Sequence, residues 1–326
     1  MRKLLLGTTA LAAATAMSAS ALADVSIAGS YEFKYKSESS QVASKDGTTM
    51  NHGDTDMVLT VRNKTDSGLT LSYRYDFTGA IGDGGTQTVD ENSLAISGGF
   101  GKVVLGQDDD ASDSYNIDEM DLPTEEPGTT LASASIGTSS SVGSSDAMKV
   151  AYHLPAMGGL TAGISFADSG TNTGTDKTSM GAKYSMEAGG AAITLGYATQ
   201  TTEATTKDTD QTNMGLKVVS GDLSLIVSQG THEAVDEDRD NQGASISYKM
   251  PNGMTVAAYT FKSEDDLDAG EELARSGAEV AYSIASGLTA VVNVEDYDYK
   301  VGTNRDGAST VSDNGTVTQL TLKASF

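Results

Sequence analysis

The largest group of residues that could do chemistry is a run of carboxylates in the interval 108–146, which contains no Lys or Arg. Closely spaced carboxylates attract cations, and charged rings of this kind set the ion preference of pores. The alternative is a solvated acidic surface, because blocks of like charge are commonly exposed. Nine of its members lie within 108–126, and Asp146 is the tenth: Asp108, Asp109, Asp110, Asp113, Asp118, Glu119, Asp121, Glu125 and Glu126.

Residues suited to catalysis or to metal binding are few. The chain has three His residues (His52, His153 and His232), with no Gly-x-Ser-x-Gly, His-Glu-x-x-His or Walker A sequence beside them. It has no Cys, which excludes disulfides, thiolate metal sites and cysteine nucleophiles. The acidic runs 233–238 and 264–268 offer oxygen ligands of the kind that Ca²⁺ prefers, although neither matches an EF-hand loop. We therefore predict no catalytic residue and no cofactor, with weak Ca²⁺ binding as the only metal chemistry left open.

The composition narrows the class of protein. Of 326 residues, 45 are acidic and 21 are Lys or Arg, so the formal net charge is −24, and only 38% are hydrophobic. Such a chain repels nucleic acids. Low hydrophobicity with high charge is typical either of disorder or of an ordered protein whose polar side chains face water on an inside as well as an outside.

The first 23 residues read as a secretory signal peptide. Arg2 and Lys3 precede an apolar stretch at 4–17, and Ala21-Leu22-Ala23 is a small-residue cleavage site. Residues 24–326 are then the exported domain. No later stretch is long and apolar enough to be a transmembrane helix.

Strict alternation of apolar and polar residues dominates the exported domain, as in the segments 25–36 and 69–77. Seven short Gly-rich turns, near residues 67, 99, 158, 189, 221, 252 and 286, alternate with eight long polar loops. Fifteen connections join sixteen strands. The alternation switches within 254–262 and 288–299, which indicates either β-bulges or strands that leave the bilayer.

Sixteen antiparallel strands avoid exposed edges by closing into a barrel. A lumen of that width cannot be filled by side chains, so the polar face must line water and the apolar face must contact lipid. The sequence thus predicts an all-β fold, a transmembrane barrel with short periplasmic turns and long outer loops. The inward-facing positions of the first three strands include Lys34, Arg62 and Arg74.

Three stretches resemble general porins of Gram-negative bacteria, closest to the sixteen-stranded alphaproteobacterial type. They are 21–29, the segment 101–107 before the longest loop, and 318–326 with its terminal Phe326. The resemblance implies an outer-membrane homotrimer, surrounded by lipid, that passes ions and small hydrophilic solutes passively. It also implies a third loop folded into the lumen opposite wall cations, and a role for Phe326 as an assembly signal. The stretch 123–128 lacks the Pro-Glu-Phe-Gly-Gly of many enterobacterial relatives.

The acidic third loop leads us to expect a cation-selective pore, with Lys34, Arg62 and Arg74 on the facing wall. The alternatives are a substrate-specific channel, an outer-membrane barrel enzyme, and a structural or adhesin protein such as a β-solenoid. The chain shows no fixed short repeat of the kind that solenoids carry.

Overall fold

A single β-sheet that closes on itself makes up the architecture. The computed structural model describes residues 23–53, 55–78, 88–127, 139–143, 147–168, 176–267, 270–302 and 312–326. The predicted signal peptide, apart from Ala23, lies outside these residues. The strands are β1 (Asp24–Ser40), β2 (Gly47–His52), β3 (Asp56–Lys64), β4 (Thr70–Thr78), β5 (Thr88–Gly98), β6 (Gly101–Gln107), β7 (Met148–His153), β8 (Leu160–Ala167), β9 (Lys177–Ala188), β10 (Ala191–Thr202), β11 (Thr209–Ser220), β12 (Leu223–Glu233), β13 (Asp238–Lys249), β14 (Met254–Asp265), β15 (Glu272–Ala285), β16 (Leu288–Lys300) and β17 (Asp313–Ser325).

Each strand pairs antiparallel with its neighbours, and β1 closes the barrel by pairing with β17, where Glu32 lies opposite Lys323. The strands β2 and β3 both pair with β1 and are two halves of one barrel strand. Seventeen segments therefore make sixteen barrel strands, as predicted. The C-terminus strengthens the closure, because the Phe326 amide donates to the Gly29 carbonyl at 2.8 Å.

All seven predicted short turns join consecutive strands. The strands continue further toward the long loops than the sequence analysis assumed, since β1 reaches Ser40 and β14 reaches Asp265. Alternation within β14 and β16 is unbroken. The tyrosines that caused the apparent switch, Tyr259 and Tyr297, are buried inside the barrel. The bulge interpretation is wrong for these two segments, because both strands continue beyond the apolar band.

The two faces of the barrel differ in polarity, as expected if the outer face contacts lipid and the inner face lines water. The outer face exposes rows of apolar side chains, such as Val280 beside Val292 on β15 and β16. The inner face carries buried polar groups such as Glu32, Asn213 and Arg275. Within the described residues, no helix is long and apolar enough to cross a membrane.

Candidate functional site

The long connection between β6 and β7 runs inside the barrel rather than over its rim. Its described parts, 108–127 and 139–143, lie against the inner wall and contain two 3₁₀ turns, Asp113–Tyr115 and Glu119–Asp121. We call these parts the constriction loop. The Ala111 amide donates to Ser165 Oγ on β8 at 2.9 Å. Far around the wall, the Thr124 amide donates to Glu279 Oε1 on β15 at 2.7 Å. The loop therefore follows the wall from β8 to β15 and narrows the lumen.

Small residues on the wall allow the loop to approach the sheet backbone closely. A Cβ atom added to Gly215 on β11 would collide with the Ile117 backbone, and one added to Gly243 on β13 would collide with the Glu119 carboxylate. Asn213, two residues from Gly215, accepts from the Ile117 amide and donates to its carbonyl, both at 3.2 Å. Shape and hydrogen bonding thus position the loop together.

The middle of the loop buries two adjacent carboxyl groups. Glu119 is fully buried and accepts from Ser140 Oγ at 2.7 Å and from Ser228 Oγ at 2.9 Å. Asp118 accepts from the Met120 amide at 2.8 Å, which caps the second 3₁₀ turn. Burial, aided by the charge of Glu119, raises the pKa of Asp118 to about 7.

Five basic side chains of the wall pair with acids of the loop. Lys149 lies 2.8 Å from Asp110, and Lys177 lies 3.5 Å from the same carboxylate. At the other end, Lys34 lies 3.0 Å and Lys323 lies 3.4 Å from Glu125. Arg275 pairs with Glu126 and also lies 2.8 Å from Glu295 on the wall. These pairs join β1, β7, β9, β15 and β17 to the loop.

The three predicted wall cations lie in different places. Lys34 faces the lumen and binds the loop. Arg74 faces the lumen but pairs with two wall acids, Asp76 at 2.7 Å and Glu91 at 2.5 Å. Arg62 is opposite Asp24 at the short-turn end of β3, and the structure does not bring it to the acids of the loop.

Sequence reasoning missed four of the five cations that pair with the loop, namely Lys149, Lys177, Arg275 and Lys323. The three predicted wall cations lie on strands before the loop, whereas the loop packs mainly on strands after it. The inward parity of Lys149 in β7 and of Arg275 in β15 was the available signal.

Six of the nine acids that were predicted to line the constriction have no Lys or Arg within 4.0 Å among the described residues. They are Asp108, Asp109, Asp113, Asp118, Glu119 and Asp121. Asp113 and Asp121 are exposed to the lumen. The surrounding barrel wall and loop partly remove Asp121 from bulk water, which raises its pKa, and the nearby charges of Lys217 and Lys183 oppose this shift. The tenth acid, Asp146, lies outside the described residues.

The acidic runs of the long loops are partly paired with bases. Glu237 lies 2.9 Å from His232 and 2.8 Å from Arg239, and the charges of these partners lower its pKa against the effect of burial. Glu264 lies 2.6 Å from Lys262. Weak Ca²⁺ binding by these runs stays a prediction.

The His side chains are half-buried rather than fully exposed, and two of them lie within strands that extend past the predicted loop boundaries. His153 Nδ1 lies 2.9 Å from the Tyr115 hydroxyl of the constriction loop. His232 Nδ1 lies 2.8 Å from Gln211. Among the described residues, no Ser or Thr hydroxyl is hydrogen-bonded to the ring of His153 or His232.

Comparison with known proteins agrees with this geometry. The family model for Gram-negative porins matches residues 7–325. None of the curated proteins compared with the chain matches it. Similar solved structures include OmpT, an outer membrane protein of Vibrio cholerae in its trimer form, with 15% identity and a TM-score of 0.68 over 93% of this chain and 99% of that one. An anion-selective porin from Comamonas acidovorans has 16% identity and a TM-score of 0.64 over 93% and 100%. A triple mutant of the porin of Rh. blastica has 16% identity and a TM-score of 0.67 over 93% and 100%.

Proposed function

Because the chain belongs to the Gram-negative porin family, we propose that it is a cation-preferring diffusion channel of the outer membrane. It passes ions and small hydrophilic solutes passively. The lumen between the constriction loop and the wall of β3–β6 is the path, and the loop excludes solutes by size.

The unpaired acids of the constriction loop carry this proposal. Asp113 and Asp121 are exposed to the lumen, and no base within 4.0 Å in the described part of the chain neutralises them. Asp108 and Asp109 lie in the same loop on the side of Arg74, and they also lack a partner at that distance. Fixed negative charge in a narrow, low-dielectric passage raises the local cation concentration and lowers that of anions.

The fold alone does not determine the selectivity. The Comamonas acidovorans neighbour is an anion-selective porin with the same barrel. The sign of the preference must therefore come from the side chains at the constriction, and in this chain the unpaired ones of the loop are acids.

The assembly is proposed to be a homotrimer. The support is the trimer form of the Vibrio cholerae neighbour, whose chain is matched over 99% of its length. Detergent-solubilised protein examined by native mass spectrometry would give three times the chain mass; a monomer alone would contradict the proposal.

Reversal potentials in a planar bilayer test the cation preference. In a tenfold KCl gradient, the wild type is expected to show a K⁺-selective potential. The Asp113→Asn/Asp121→Asn variant is expected to lose part of it, because both substitutions remove unpaired charge while keeping the side-chain volume. Asp240→Asn is the matched control, since Asp240 is exposed on the outer surface of β13. Anion preference of the wild type would contradict the proposal.

A further inference from the structure

Basic side chains that form no ion pair with the constriction loop line the lumen between the loop and the short-turn end of the barrel. Lys183 on β9 and Lys217 on β11 face the lumen beside the constriction loop, where their charges act on Asp121. Lys102 on β6 lies opposite His153, whose ring contacts the loop from the same face. The alternation of β13 places Lys249 on the same inner face as Gly243. Together with Arg62, these residues are the periplasmic cation set.

These five cations are not neutralised at short range. In the described ranges, none of them has a carboxylate within 4.0 Å, although Asp24 lies opposite Arg62 in the strand register. Cations nearer the long loops behave differently. Lys36 lies 3.3 Å from Glu38, and Lys45 lies 2.9 Å from Asp313. The acids at the short-turn end are few, namely Asp24, Glu187 and the turn residues Asp66 and Asp222.

The charge of the wall changes sign on the other side of the loop. Inward carboxyl groups crowd the long-loop end, where the unpaired Asp108 and Asp109 lie beside the wall acids Asp76 and Glu91. Arg74 is the base between these wall acids. The lumen therefore runs from an acidic outer vestibule, past the loop, to a basic periplasmic mouth.

We propose that this axial reversal of fixed charge makes the channel rectify, passing more current when the long-loop side is positive. Cations gather in the acidic vestibule and anions gather at the basic mouth. A field that drives both toward the constriction fills it with carriers and raises the conductance. The opposite field draws both away and depletes the constriction. The periplasmic cation set thus concentrates anions at one end of a pore that prefers cations.

The inference rests on the proposed channel function, but not on the sign of its selectivity. Currents are measured at equal positive and negative voltages in symmetric 0.1 M KCl. Orientation is fixed by a Ser286→Cys substitution in the short turn between β15 and β16, since the chain has no other Cys and a membrane-impermeant thiol reagent then reports which chamber the turn faces. We expect a current ratio on the order of 2, because wall potentials at this salt reach a few kT.

The Lys183→Gln/Lys217→Gln/Lys249→Gln variant removes three of the five periplasmic cations, and its current ratio is expected to be close to 1. Lys262→Gln/Lys300→Gln is the matched control, because these lysines lie on the outer surface and are both about half exposed. In 1 M KCl the screening length falls to about 3 Å, and the wild-type ratio is also expected to approach 1.

A conducting wild-type pore with equal currents at both polarities, or a larger current when the short-turn side is positive, would overturn this inference alone. Absence of any channel conductance would overturn the proposed function together with it. A triple variant that keeps the full wild-type ratio would show that these lysines are not the cause and would also overturn the inference.

Discussion

Glu279 is expected to hold the far end of the constriction loop in the lumen. Its two carboxylate oxygens accept from the Thr124 amide at 2.7 Å and from the Glu125 amide at 2.9 Å. Hydrogen bonds to charged groups contribute roughly 1.5–3 kcal/mol each, so this tether contributes about 3–6 kcal/mol to the docked position. Asn293 Nδ2 also donates to the Glu125 carbonyl at 2.8 Å, and loss of the Glu279 carboxylate does not remove either atom of that bond. Glu279→Ala should therefore loosen the tip without releasing the whole loop.

Single-channel recording in 1 M KCl measures this effect. Glu279→Ala is expected to broaden the conductance distribution and to increase open-channel current noise, because a loosened tip samples several positions. Glu279→Gln keeps one acceptor oxygen, so its conductance distribution and current noise should lie between those of the wild type and of Glu279→Ala. Glu187→Ala is the control, since it removes an inward-facing carboxylate near the short turn after β9. Conductance and noise in Glu279→Ala that match the wild type would refute the tethering role.

Three further outcomes are expected from the geometry. Gly215→Ala should displace the loop at Ile117 and lower the heat-denaturation temperature of the folded barrel on gels, whereas Gly99→Ala, in a short turn where an added Cβ meets open space, should leave that temperature unchanged. Because burial raises the pKa of Asp118 from 3.8 to about 7, the folded chain binds this proton more tightly than the unfolded chain. The free energy of unfolding should then fall as the pH rises between these two pKa values, by on the order of 4 kcal/mol at most. Denaturant titrations at pH 4.5 and 8 measure this fall, and Asp118→Asn should reduce it. A fall in Asp118→Asn as large as that of the wild type would contradict the assignment. Phe326→Ala should reduce the heat-modifiable fraction in cell envelopes while leaving refolding in detergent intact, because the proposed assembly signal is read by cellular machinery; equal envelope fractions would contradict that role.

The barrel could be predicted because its signals are local. Alternation in 25–36 and 69–77 repeats every two residues, and Gly in the short turns marks each hairpin. The residues at which strands end are harder to predict from the sequence. Beyond the apolar band the outward-facing residues are polar, and Lys262 on β14 is an example. A strand that continues past the band therefore has the composition of a loop in the sequence.

The position of the constriction loop could not be read from local patterns. Thr124 and Glu279 are 155 residues apart, and Ile117 and Asn213 are 96 apart. Such pairings depend on how the closed sheet brings distant strands under the loop. The glycines at inward positions, Gly215 and Gly243, carried a signal of close approach, but only the barrel geometry shows what approaches them.

The central claim is that the unpaired carboxylates of the constriction loop govern which ions pass. Its most direct test is the reversal potential of wild-type protein in a planar bilayer with a tenfold KCl gradient at neutral pH. A potential of the sign given by K⁺ permeation, reduced in Asp113→Asn/Asp121→Asn, is the expected result. A potential of the sign given by Cl⁻ permeation would contradict the account.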